Sequence, residues 1–85
     1  MPFAGVWENI QDHAGEIFHT VRGLDFVYAL QQNQVRTSRT DYNIPRSSFE
    51  NAYEHWPLAG PGEMPDSVRG PSYVYAILAD ARIQG

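Results

Sequence analysis

Phe26-Val27-Tyr28-Ala29-Leu30-Gln31-Gln32-Asn33-Gln34-Val35-Arg36-Thr37-Ser38 is the stretch on which the fold turns. Side chains alternate across a strand, so Phe26, Tyr28 and Leu30 share one face and Val27 and Ala29 take the other. Gln31 to Gln34, with Asn33 inside, reads as a turn. A second alternation follows, with Val35 and Thr37 on one face and Arg36 and Ser38 on the opposite one. The spacing therefore predicts strands over 26–30 and 34–38. Upstream, residues 16–22 are rich in β-branched and aromatic side chains and end in the turn-like Arg22-Gly23-Leu24-Asp25. Three successive short strands imply an antiparallel meander.

Helical periodicity flanks the meander. Phe3, Trp7, Ile10 and Ala14 form a stripe that predicts a helix over residues 4–14, stopped by Gly15. Ser47 and Glu50 have capping-box spacing, and Phe49, Ala52, Tyr53 and Trp56 continue as one apolar face up to Pro57. Gly60-Pro61-Gly62 and Pro65 mark a loop, and Pro71 suits the first position of a last helix with Val74, Ile77, Leu78 and Ala81 inward. The expected fold is one small α+β domain over residues 1–85, with a three-stranded antiparallel sheet and about three short helices in the order α-β-β-β-α-α. Both sheet faces are fairly apolar, so helices cover both or one face meets a partner. Residues 15–30 also align without gaps to 62–77, with eight of sixteen positions identical. A duplication would make the second copy a strand. Pro71 and the run to Ala81 favour a helix, which makes the echo a coincidence.

Composition narrows the function classes. An 85-residue chain buries roughly 60–65% of its unfolded surface, so the core is thin and its many aromatics matter. There is no cysteine, hence no disulfide scaffold and no thiolate nucleophile, which suits a reducing cytoplasm. No apolar run is long enough to span a membrane, and the first residues carry no signal-peptide pattern. A net charge of -4 rules out a basic nucleic-acid coat, so any such contact needs a local patch.

No catalytic residues, metal ligands or cofactor are predicted. The chain lacks lysine and therefore a P-loop, and it has no Gly-x-Ser-x-Gly elbow. His13, His19 and His55 show no metal-ligand spacing, and Glu50 with Glu54 reads as a solvated helix face.

The positive island is residues 35–48. Arg36, Arg39 and Arg46 are half of the chain's cations, and Ser38, Thr40 and their neighbours add hydroxyls. An arginine fork captures phosphate, carboxylate or a base edge in two bonds. Tyr42 lies among them as the candidate exposed aromatic. Arg69, before Gly70-Pro71-Ser72, joins them at the start of the last helix. The anion-binding set is thus Arg36, Ser38, Arg39, Thr40, Tyr42, Arg46 and Arg69. The structural alternative is that these arginines pair with the chain's ten carboxylates, as Arg46 and Glu50 can at i, i+4.

The words Ser38-Arg39-Thr40, Ser48-Phe49-Glu50-Asn51-Ala52, Pro57-Leu58-Ala59-Gly60-Pro61-Gly62 and the run from Val68 to Leu78 resemble a small bacterial module. In size and lack of motif the chain is similar to the orphan proteins carried on mobile elements such as integron gene cassettes. That resemblance implies a bacterial cytoplasmic accessory protein and carries no catalytic residue. The sequence therefore points to a non-enzymatic binding module for nucleic acid or another anionic partner. The alternative is a self-associating protein–protein module, by default a homodimer. A small anion-ligand binder or enzyme is the third reading.

Overall fold

A computed structural model describes residues 2–84. The order is helix α1 (Phe3–Asp12), strands β1 (Phe18–His19), β2 (Asp25–Phe26), β3 (Tyr28–Gln31), β4 (Gln34–Thr37) and β5 (Ile44–Pro45), then helix α2 (Arg46–Glu54). A 3₁₀ turn (Pro61–Glu63), helix α3 (Pro71–Ala79) and helix α4 (Ala81–Gln84) complete it. The α+β class and the three-stranded antiparallel sheet are as the sequence predicts.

The hairpin β3–β4 supplies two strands of that sheet, with β4 in the middle and Tyr28 opposite Thr37, Ala29 opposite Arg36 and Leu30 opposite Val35. Its two-residue turn places Gln32 and Asn33 at φ 50° and 64°. Two positive φ values are the signature of a type I′ turn, whose twist matches that of the strands it joins. The third strand is not 16–22. It is β5, which adds to the far edge of β4 through Val35–Ile44 and Gln34–Pro45. Residues 18–19 instead pair with 25–26 as a separate two-stranded ribbon. The reason is local. Thr20 accepts the Leu24 N–H on its Oγ1 and the Gly23 N–H on its carbonyl, with Gly23 at φ 84°. That tight turn consumes backbone groups a longer strand would need.

Helices cover one sheet face. Tyr28 and Val35 are buried beneath them in one cluster with Trp7, Phe18, Phe49 and Ile77, and Thr37 is buried on the same face. Phe18 meets Tyr28 at 5.2 Å between ring centres, and Trp7 meets Phe49 at 5.7 Å. The opposite face displays Val27, Ala29, Gln31, Arg36 and Ser38 and is mixed rather than apolar. The exposed large hydrophobics lie on the hairpin and its flanks, at Ile17, Val21, Leu24 and Val27.

The Tyr28 hydroxyl ties the sheet to α1 by donating to the Ile10 carbonyl at 2.7 Å. That carbonyl belongs to the last turn of α1, where the helix itself supplies no donor. Burial pushes the Tyr28 hydroxyl well above its usual pKa, so it stays a donor. Tyr28→Phe removes one atom and orphans a buried carbonyl. The expected cost is about 1–2 kcal/mol, read as a lower urea midpoint at unchanged slope.

Three local expectations change. Helix α2 begins at Arg46 after an extended Pro45 and has no side-chain cap, so the Ser47–Glu50 capping box does not form. Ser48 is buried and accepts the Arg69 N–H instead. The last helix is two, because Asp80 leaves α3 in extended conformation and its Oδ1 accepts the Arg82 N–H to start α4. Ile83, not Ala81, is the buried residue there. Finally, 62–77 contains a 3₁₀ turn and a helix and no strand, so the echo of 15–30 is not a structural repeat. Its two Val-Arg-Gly words share only a left-handed glycine, Gly23 and Gly70.

Candidate functional site

The hydroxyls of the island build its turn. Thr37 is buried; its Oγ1 accepts the Arg39 N–H and donates to Thr40 Oγ1, both at 3.1 Å. Thr40 Oγ1 passes the chain on to the Tyr42 carbonyl at 3.1 Å. Ser38 Oγ accepts the Val27 N–H. These groups are spent on backbone, so Ser38 and Thr40 act as scaffold for the arginines between them.

The arginines are left facing outward. Arg36 is exposed on the central strand, and its Nε donates to the Thr40 carbonyl at 3.2 Å. Arg39 Nε donates to the Asp25 carbonyl. Each side chain is thus oriented through Nε alone. The terminal nitrogens, which form the outer prongs of the fork, carry no protein partner among the described residues. Neither makes an ion pair with a carboxylate there.

Tyr42 brings Arg69 to the same patch. The Arg69 guanidinium lies over the Tyr42 ring, 4.4 Å from its centre. Tyr42 is half-buried and packs on the core, so it is a platform for Arg69 rather than a free stacking surface. Close approach at Gly70 makes this possible. A Cβ there would stand 2.9 Å from Ile44 Cδ1 and 3.2 Å from the Tyr42 hydroxyl, and its φ is 61°. Contacts therefore run from Arg36 through Thr40 and Tyr42 to Arg69, while Arg39, next to Thr40 in the same turn, reaches to the Asp25 carbonyl.

Arg46 stands apart. Its N–H bonds to the Asn33 carbonyl, at the opposite end of β4 from Ser38. Its guanidinium lies over the rings of Phe3 and Trp7 at 5.4 and 5.6 Å, and its Nε is 3.7 Å from Glu50. That distance is an ion pair and too long for a hydrogen bond. Arg82, by contrast, is fully committed to Asp80 and Glu16. The arginines thus divide into two paired ones and four without a carboxylate partner among the described residues: Arg22, Arg36, Arg39 and Arg69.

Sequence reasoning missed Arg22. Its Val-Arg-Gly context, shared with Arg69, was the available signal. Acidic neighbours temper the patch, since Asp41 is exposed beside Thr40 and Asp25 pairs with His19 at 3.0 Å. Among the described residues no group of three His, Asp or Glu side chains is placed to hold a metal, and no helix is long and apolar enough to cross a membrane. The chain matches no protein-family model, no curated protein and no solved structure.

Proposed function

We propose that the chain is a non-enzymatic binding module whose Arg36, Arg39 and Arg69 contact nucleic-acid phosphates. The observation that carries this reading is that all three lack carboxylate partners among the described residues, while backbone carbonyls or the Tyr42 ring hold each in place. Pre-oriented forks lose less rotamer freedom when they engage a phosphate. The contacts in this reading are to the phosphate backbone, which fixes position without reading bases, so binding is sequence-tolerant. The net charge of -4 opposes approach, so the affinity belongs at the weak end, about 10⁻⁴–10⁻⁵ M at physiological salt and tighter at low salt. A cytoplasmic accessory role, of the kind carried as mobile-element cargo, is part of the same proposal.

Labelled duplex and single-stranded DNA test it by fluorescence anisotropy. Arg36→Ala/Arg39→Ala/Arg69→Ala is expected to weaken binding roughly tenfold or more, and Arg46→Ala to leave it within about twofold. Equal losses from both would sink the patch as drawn.

A second reading rests on Ile17, Val21, Leu24 and Val27, exposed large hydrophobics on the Phe18–Phe26 ribbon and its flanks. Exposed apolar side chains of this kind suit a twofold self-association interface. Sedimentation equilibrium that shows constant mass with rising concentration would remove it.

A further inference from the structure

A cleft of about 370 Å³ opens between the Thr20–Leu24 turn, Pro61 and the start of α3 at Ser72 and Tyr73. Its size is at the small end of ligand sites, which typically span about 300–1,000 Å³. Val21 and Leu24 line it while remaining 66% and 48% exposed. Tyr73 forms another apolar wall, held edge-on to Phe26 at 5.2 Å between ring centres. The turn is fixed by three Thr20 hydrogen bonds, so the walls stand preformed.

Charge selects the occupant. Arg22 lines the cleft and has no carboxylate partner among the described residues. The acidic group nearest in sequence to Pro61 is Glu63, and its Oε1 is occupied by the Ala59 N–H at 2.9 Å. Neither Glu63 nor Asp25, which lies 3.0 Å from His19 on the ribbon, lines the cleft. A cation without a carboxylate partner among the described residues, set beside Val21, Leu24 and Tyr73, matches an acid with a hydrocarbon body. We propose that this cleft binds a small organic carboxylate with an apolar chain or single ring, its carboxylate on Arg22 and its body against Val21, Leu24 and Tyr73. This site is separate from the Arg36–Arg39–Arg69 patch and does not rest on it.

The test is an amide-shift titration of the ¹⁵N-labelled full chain with hexanoate, its neutral counterpart hexanamide, and acetate. Hexanoate is expected to move the amides of Val21, Arg22, Gly23, Leu24, Ser72 and Tyr73 along one saturating curve. Hexanamide should bind about fivefold more weakly and acetate about tenfold more weakly. Arg22→Gln, an exposed substitution, should reduce hexanoate to the hexanamide level, and Leu24→Ser should weaken both. The proposal is overturned if hexanoate moves none of these amides, if hexanamide or acetate matches it, or if Arg22→Gln keeps the full preference for the acid.

Discussion

Arg82→Ala is expected to lower the melting temperature by about 10–20 °C, the largest effect of any single substitution of a side chain not fully buried. Arg82 ties the start of α4 to the Glu16–Phe18 segment. Its Nε and one terminal nitrogen bond the two oxygens of Asp80, each at 2.9 Å. Its other terminal nitrogen reaches Glu16 at 3.1 Å, and the Ile17 carbonyl accepts a further bond at 2.9 Å. The guanidinium also sits 3.8 Å from the ring centre of buried Phe18. Hydrogen bonds to charged groups contribute about 1.5–3 kcal/mol each when shielded, but the side chain is one-third exposed. Discounted for screening and with the Glu16 contact left out, the Asp80, Ile17 and Phe18 contacts are worth about 2–3 kcal/mol, and each kcal/mol moves a domain of this size by about 4–8 °C. Arg82→Lys keeps the charge and loses the fork, so it should recover less than half.

The same network sets an acid dependence. Hydrogen bonds from Arg82 hold the Asp80 carboxyl below its usual pKa. Glu16 is also lowered, first by its hydrogen bond with His13 and then by Arg82. A carboxyl depressed in the folded state stabilises the fold above its unfolded pKa, and that contribution is lost as pH falls through the folded value. Stability of the native chain should therefore drop as pH goes below about 4, the ordinary carboxylate range. Arg82→Ala should flatten that fall in urea titrations at pH 7 and pH 3.

Gly70→Ala is expected to cost about 2–3 kcal/mol and to weaken DNA binding. The left-handed conformation costs a non-glycine residue roughly 1–2 kcal/mol. The added Cβ would also press on Ile44 Cδ1 at 2.9 Å, and Ile44 is fully buried, so it has little room to yield. Gly23→Ala is the control. Gly23 has a φ of 84° but nothing within 4 Å of its Cβ position, so only the conformational cost, about 1 kcal/mol, applies. The gap between the two is the steric part. Only the Gly70 change disturbs the Tyr42 platform under Arg69.

The hairpin was readable because its alternation, its turn residues and its pairing all follow local rules. The edge strand Ile44–Pro45 was not, since two residues carry no period and proline argues against a strand except at an edge. The 16–22 run has strand composition, yet Thr20 and Gly23 cut it short through a turn that depends on hydrogen-bond geometry. Ser47 and Glu50 had the right spacing for a cap, but helix α2 starts at Arg46, and Glu50 faces the Arg46 guanidinium. Among the candidate site residues, the Arg46–Glu50 pair was local and foreseeable. What separates free from paired arginines is tertiary: Arg82 meets a glutamate 66 positions away, and Arg69 finds Tyr42 only because Gly70 lets the two segments touch.

The salt dependence of DNA binding tests the central claim most directly. Three phosphate-contacting arginines predict a slope of log K against log salt of about -2 to -3, reduced by about one for each of Arg36, Arg39 and Arg69 removed. Arg46→Ala should leave the slope unchanged. No binding at low salt, or a slope that Arg46→Ala reduces and the patch variants do not, would contradict the account.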